Sequence, residues 1–165
     1  MKRSSLFLTL TMGLAVAVAA CEDESSGPDL ETFAATLNGQ NERPNPVTTD
    51  AVGAASFTVA ENGQSVDFAI TVQNIENATA AHIHGPADAN TATGVLVTLF
   101  AGNPPVSVAN GTLVTGTFPS AQFTIKEGVS VDSVLTLMRN GMSYVNVHTS
   151  ANQPGEIRGQ IARTN

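Results

Sequence analysis

The sequence has a single cysteine and no tryptophan, and it is poor in basic residues. With only Cys21 present, an internal disulfide is excluded. The chain has 7 Lys and Arg residues against 14 Asp and Glu residues, which gives a formal net charge of −7. The few basic residues are scattered, whereas nucleic-acid binding needs a clustered basic face. A nucleic-acid partner is therefore not expected.

Histidine is also scarce, with three in 165 residues, and the three are unevenly placed. His82 and His84 stand one residue apart in the run Ala80–Ala87, and His148 lies in the alternating segment Tyr144–Thr149. Successive side chains of a strand point to opposite faces, so His82 and His84 project together, about 6 to 7 Å apart, away from the apolar core. These three residues are the candidates for chemistry.

The N-terminus has the layout of a secretory signal peptide over residues 1–20. Lys2 and Arg3 precede an uncharged, mostly apolar run from Leu6 to Val18, and small residues follow up to Cys21. The run of about 13 residues is shorter than the roughly 20 that a membrane-spanning helix needs. We therefore expect this segment to be removed on export.

Cys21 directly follows Val18-Ala19-Ala20, and this stretch resembles a bacterial lipobox. The resemblance implies that Cys21 becomes the first residue of the mature protein, carries lipid and attaches the protein to a membrane of the bacterial cell envelope. The alternative is an ordinary signal peptide with a cysteine near its cleavage site. Residues 21–31 are rich in acidic and turn-forming residues, which predicts a flexible acidic tether.

Residues 32–165 are long enough for one domain with an apolar core, and their composition favours an all-β fold. The clearest pair of alternating segments flanks Asn62-Gly63, which is typical of a β-hairpin. One short helix is predicted near 131–140, because apolar residues recur there at i, i+3, i+4 and i+7. The expected architecture is an antiparallel β-sandwich or a flattened barrel. The strands are predicted as separate segments at 32–38, 52–60, 65–73, 79–84, 94–101, 112–118, 121–125, 143–149 and 156–162.

The closing segments predict a second hairpin beside the histidines. The length of its loop places Asn146 opposite Arg158 and His148 opposite Glu156. Tyr144 is expected to pack at the sheet surface, and Glu156 with Arg158 to form a surface ion pair worth under about 1 kcal/mol. Alternation assigns six side chains to the face away from the core: Tyr144, Asn146, His148, Glu156, Arg158 and Gln160.

A His-x-His strand with a third histidine from another strand suits a zinc or copper ion. Each neutral imidazole offers one nitrogen, so His82, His84 and His148 can form a trigonal or distorted tetrahedral set. The alternative is structural: the histidines hold neighbouring loops by hydrogen bonds and bind no metal.

Four segments together resemble the CHRD domain, a module repeated in chordin and present singly in bacterial envelope proteins. They are Phe33–Gly39, Ala80–Ala87, Tyr144–Thr149 and Pro154–Gln160, within a resemblance that extends from about Phe33 to Ile161. It implies a β-sandwich of the immunoglobulin or superoxide-dismutase type. In chordin the module belongs to an antagonist of bone morphogenetic proteins, an activity that does not carry over to a bacterium. One departure is Asn41-Glu42-Arg43-Pro44, where the family more often has Gln-Glu-Val-Pro.

A weaker similarity is to copper-zinc superoxide dismutase, which has a His-x-His strand and a later histidine among its copper ligands. His82, His84 and His148 would then be three copper ligands, and Arg158 would resemble the arginine that guides superoxide. The chain departs from that pattern because it has no fourth histidine, no zinc-site cluster and no internal disulfide.

These patterns predict a lipid-anchored envelope protein with a non-catalytic binding or interaction domain, whose partner is a protein or small ligand and whose histidines hold a metal. Two alternatives stay open. One is a copper-dependent redox protein or copper carrier, and the other is a structural surface protein without metal.

Overall fold

The computed structural model describes residues 29–165, and the predicted signal peptide and Cys21 lie outside them. Strands dominate the described residues, and the predicted short helix is present. The strands are β1 Thr32–Asn38, β2 Val52–Val59, β3 Val66–His84, β4 Val95–Phe118, β5 Tyr144–Thr149, β6 Ile157–Gln160 and β7 Ala162–Arg163; the helix α1 is Val131–Arg139, and a 3₁₀ turn covers Gly39–Asn41.

The β2–β3 hairpin forms where Asn62-Gly63 predicts it. Val59 pairs with Val66, and Gly63 takes the left-handed conformation that such turns use, with a φ of 65°. Buried and exposed side chains alternate along both strands, so that one face of each enters the core. The predicted hairpin is therefore confirmed.

The strands form one antiparallel sheet that closes into a barrel. Its order is β2-β1-β6-β5-β3-β4, and a further pairing of β2 with β3 completes a ring of five strands. Closure depends on β3, because its first half, Val66–Gln73, pairs with β2 and its second half, Ala78–His84, pairs with β5. The predicted antiparallel all-β class is confirmed, but one continuous ladder replaces the two separate sheets of a sandwich.

β3 and β4 are longer than the sequence predicts, because bulges carry their ladder past residues that normally end a strand. Asn74 and Asn77 in β3 have positive φ angles of 58° and 52°, and the β3–β4 register shifts beside them. Pro104 and Pro105 lie within β4, an edge strand, where a missing backbone donor is tolerated. The predicted strand at 121–125 is reduced to one isolated bridge.

The core is a single apolar cluster with side chains from every strand of the ring. Helix α1 adds Val134, Leu135 and Met138 to it, and Ser130 caps the helix by accepting a hydrogen bond from the Ser133 amide. Within residues 29–165, no helix has the length and apolar character needed to cross a membrane. The largest fully buried apolar side chains are Phe33, Phe57, Phe118, Leu37, Ile70, Ile75, Ile83, Leu99, Leu135, Met138 and Ile157.

The residues before β1 meet the C-terminal segment. Glu31 forms an ion pair with Arg139 of α1, at 2.6 Å, and a longer one with Arg163 of β7, at 3.6 Å. Asn165 donates a hydrogen bond from its side-chain amide to the Leu30 carbonyl. Contacts with the domain therefore begin within the last residues of the segment predicted as a tether.

Candidate metal centre

The histidines lie on two neighbouring strands of the barrel wall. β3 and β5 run antiparallel, and His82 lies opposite Asn146, two residues from His148. Ala81 and Ile83, which alternate with the β3 histidines, are fully buried in the core. The imidazoles consequently project from the other face of the sheet, as the alternation predicts.

One ring nitrogen from each of His82, His84 and His148 lies within 4.8 Å of the other two. The shortest hydrogen-bonding separation, 3.0 Å, joins His82 Nδ1 and His148 Nε2. A tetrahedral metal with nitrogen ligands at about 2.0 to 2.1 Å separates those nitrogens by about 3.3 Å. Small rotations of the rings bring three nitrogens to a common centre, so the set fits a zinc or copper ion.

Backbone carbonyls orient two of the three rings. His84 Nδ1 lies 2.8 Å from the carbonyl oxygen of Thr93, and His148 Nδ1 lies 2.8 Å from that of Gln153. Because a carbonyl only accepts, each Nδ1 donates its hydrogen and each Nε2 keeps a lone pair. His84 Nε2 is buried and has no hydrogen-bond partner. A carbonyl behind the ring is the usual way to fix the tautomer of a metal-binding histidine.

The three imidazoles are neutral at neutral pH. Burial, together with the repulsion that His148 and His84 would exert on a charged ring, lowers the pKa of His82 to about 4. Burial also lowers the pKa of His84 and of His148, although the carbonyl beside each ring acts in the opposite direction. Neutral imidazole is the form that binds a metal. His82 and His148 are partly exposed, so the group can be reached from solvent.

Tyr144 and Arg158 are buried beside the histidines, whereas Tyr144 was predicted to lie at the sheet surface. The Tyr144 ring stacks on His84 with centroids 4.8 Å apart, and the Arg158 guanidinium lies 3.5 Å from the centre of the Tyr144 ring. Arg158 also donates hydrogen bonds of 2.9 Å to the carbonyls of Asp88 and Thr91. Arg158 therefore holds the loop between β3 and β4, which supplies the carbonyl that orients His84.

The predicted surface ion pair between Glu156 and Arg158 is wrong, although the register of Asn146 opposite Arg158 is confirmed. Glu156 precedes β6, where the regular alternation has not yet begun. Its carboxylate accepts hydrogen bonds from the hydroxyls of Thr49, at 2.7 Å, and Thr149, at 2.6 Å. Glu156 does not join the histidine group, whereas Asn146, Tyr144 and Arg158 lie next to it.

The elements that carry the histidines fall within one family match. The family model of the CHRD domain matches residues 33–161. The chain belongs to the CHRD-domain family. No curated protein and no solved structure matches it. In this CHRD domain all three histidines lie inside the matched range, and Cys21 lies before it.

The CHRD domain also buries a carboxyl that reasoning from the sequence missed. Glu42 follows the 3₁₀ turn after β1 and is 5% exposed. Burial raises the pKa of Glu42 to about 7, against the opposing effects of the Arg158 charge and the Asn146 amide. The family pattern Gln-Glu-Val-Pro shares this glutamate with the chain, and that shared residue is the feature of the sequence that could have revealed it.

Proposed function

We propose that this CHRD protein is a lipid-anchored binding module of the bacterial cell envelope that holds a zinc or copper ion through His82, His84 and His148. The observation that carries the proposal is the group of three imidazole nitrogens within 4.8 Å, with two rings oriented by carbonyls. A buried nitrogen without a partner costs free energy, because it has lost its hydration. Coordination of an ion would offset that cost at His84 Nε2.

The proposed role is binding rather than catalysis. Arg158 is 1% exposed and its guanidinium holds a loop, so it is not available to attract an anion from solvent. We also propose that the barrel is a closed relative of the superoxide-dismutase type of sandwich, in which the long β3 joins the two layers.

The lipid anchor rests on Cys21 and on the apolar run that precedes it. We expect the full-length protein to enter the membrane fraction of a bacterial host, with an acylated Cys21 as its first residue. Cys21→Ser should release the exported protein into the soluble fraction. An intact mass that corresponds to an unmodified Cys21 in the membrane-bound protein would contradict the anchor.

Metal analysis of the full-length protein, prepared without an affinity tag, tests the site. We expect one zinc or copper ion per chain and 1:1 complexes in titrations with Zn²⁺ and Cu²⁺. His84→Ala should weaken binding at least about tenfold, and Glu156→Gln, which alters a buried side chain outside the histidine group, is the control. Wild-type protein that binds neither ion tighter than about millimolar would refute the proposal and favour the structural role.

A copper-dependent redox protein or copper carrier is the second candidate, favoured by the partial exposure of His82 and His148. It uses the same three histidines. A redox protein would also consume a substrate such as superoxide or peroxide, which a binding module would not. Superoxide or peroxide consumption that disappears in His84→Ala would establish the redox function. Tight copper binding without turnover would favour a carrier or a binding module.

A further inference from the structure

Unpartnered polar atoms concentrate around the histidine site. Residues 29–165 contain six such buried atoms, and four of them belong to residues of the site and its surroundings: Glu42 Oε1, His84 Nε2, Asn146 Oδ1 and Arg158 Nη1. Buried polar atoms without a partner are rare in folded proteins, because each costs the free energy of its desolvation. Their concentration indicates a polar interior built around more than the three ligand nitrogens.

Asn146 links Glu42 to the histidines. It lies directly opposite His82 in the β3–β5 ladder, and His84 follows His82 two residues along the same strand. Asn146 Nδ2 and Glu42 Oε1 both border Gly155, because a Cβ on that glycine would lie 2.6 Å from the first atom and 2.5 Å from the second. The absence of a side chain at Gly155 leaves room for the carboxyl to approach the amide from behind the site.

A divalent ion bound by the three histidines would need a negative charge nearby. Three neutral imidazoles contribute no charge, so a divalent ion would bring its full +2 charge into a half-buried group. The cationic groups that act on Glu42 are Arg158 from β6 and Arg43 from its own loop, and both disfavour a further positive charge. The buried carboxylate of Glu156 is already bound by two threonine hydroxyls. Glu42 is the buried carboxyl with an unpartnered oxygen on this side of the barrel.

We propose that Glu42 supplies the counter-charge for the histidine site, acts on it through Asn146, and favours a divalent over a monovalent ion. The proposal rests on the metal function proposed above and assigns Glu42 a positioning role rather than that of a ligand. A carboxylate behind the ligands lowers the electrostatic cost of the bound ion in proportion to the charge of the ion.

Competitive titration of the full-length protein with Zn²⁺ and with Ag⁺, in chloride-free buffer at pH 8, tests the proposal. Glu42→Gln keeps the shape of the side chain and removes its charge, so Zn²⁺ affinity should fall about 10- to 100-fold. Because Coulomb energy is proportional to charge, Ag⁺ affinity should fall by about the square root of that factor. Glu156→Gln, which alters a buried carboxylate outside the histidine group, is the matched control and should leave both affinities unchanged.

Rescue separates the effect of charge from an effect on folding. Glu42→Asp should keep most of the preference for Zn²⁺ over Ag⁺, and Asn146→Asp should restore it in the Glu42→Gln background. An equal loss for both ions, or an unchanged Zn²⁺ affinity in Glu42→Gln, would overturn the role of Glu42 and leave the three-histidine site standing. A wild-type protein that binds neither ion would refute both the site and this inference.

Discussion

The second half of β3 has two neighbours of opposite character. On one side β5 brings Tyr144, Asn146 and His148 against it, and the first two are buried. On the other side β4 runs for 24 residues without a charged side chain, and most of it beyond Ala101 is exposed. Burying polar groups costs free energy, whereas leaving uncharged ones in water costs little. The buried polar groups beside the histidines therefore lie on the β5 side, whereas β4 forms the exposed edge of the sheet.

The β4 side is protected by shape rather than by charge. An exposed edge strand offers unpaired backbone groups to other chains, and proteins block such edges with prolines, bulges or charges. Pro104 and Pro105 lack two of the backbone donors, and bulges interrupt the β3–β4 register. The β4 side should therefore accept an added charge, whereas small changes on the β5 side should have large effects.

The largest expected effect comes from removing the Glu42 charge in metal-free protein. The pKa of Glu42 is about 7 in the fold against an ordinary 4.5, so between these values the folded protein binds a proton that the unfolded chain does not. This difference stabilises the fold by about 3 kcal/mol as pH falls from 7 to 4.5. Glu42→Gln should therefore exceed wild type in urea-unfolding free energy by about that amount at pH 8, and lose its advantage near pH 4.5.

The titration of His82 changes stability in the direction opposite to that of Glu42, and it therefore determines the pH profiles expected of wild type and of Glu42→Gln. Its pKa is about 4 in the fold against an ordinary 6.5, so the unfolded chain takes up a proton first, and stability falls as pH drops from 6.5 to 4. Wild type should show a shallow pH profile, because the two groups oppose each other, and Glu42→Gln a steeper one. Parallel profiles would show that the Glu42 carboxyl is not desolvated.

The next effect in size is the loss of the Arg158 clamp. Arg158→Met should lower the free energy of unfolding by about 2 to 3 kcal/mol, because the carbonyls of Asp88 and Thr91 lose a charged donor. Arg163→Met, which changes an exposed guanidinium on β7, is the control and should cost no more than about 0.5 kcal/mol. Equal losses in urea unfolding would remove the proposed distinction between a buried clamp and a surface arginine.

A smaller effect is expected from adding one methyl group behind the site. Gly155→Ala places a Cβ within 2.6 Å of the Glu42 carboxyl and the Asn146 amide, at a φ of 142°, and should cost about 1 to 3 kcal/mol. Gly94→Ala, whose Cβ meets nothing within 4 Å, is the matched control. Thermal unfolding compares the two variants, and an unchanged Tm for Gly155→Ala would mean that the carboxyl and amide are not packed as described.

The smallest effect is expected on β4. Thr115→Lys introduces a charge on an exposed position of the edge strand, opposite Ala69, and should change the unfolding free energy by less than about 0.5 kcal/mol. The variant should also remain as monodisperse in size-exclusion chromatography as wild type. A loss above about 1 kcal/mol would show that this edge is covered, and would end the contrast with β5.

Sequence patterns predicted the features that depend on residues close together in the sequence. The shared face of His82 and His84 follows from the period of two, and the pairing of Asn146 with Arg158 follows from a short loop. The helix over Val131–Arg139 follows from its apolar spacing.

Barrel closure and the buried charges could not be predicted in this way. Closure requires β3 to continue through Asn74 and Asn77. Their positive φ angles belong to a bulge within the strand and do not mark its end. Glu42 and Arg158 are polar by type and were therefore assigned to a loop and to the surface. Their burial depends on segments that are distant in sequence and pack over them.

The contacts of Glu31 place the start of the domain at the opposite end of β1 from the histidines. β1 runs from beside Glu31 to Asn38, which pairs with Arg158 at the level of His82. Six residue steps along a strand span roughly 20 Å. Under the proposed acylation of Cys21, the histidine face stands about that distance above the point where the chain joins the domain. Under the proposed function, a metal donor or protein partner therefore meets the histidines at the end of β1 away from the anchored terminus.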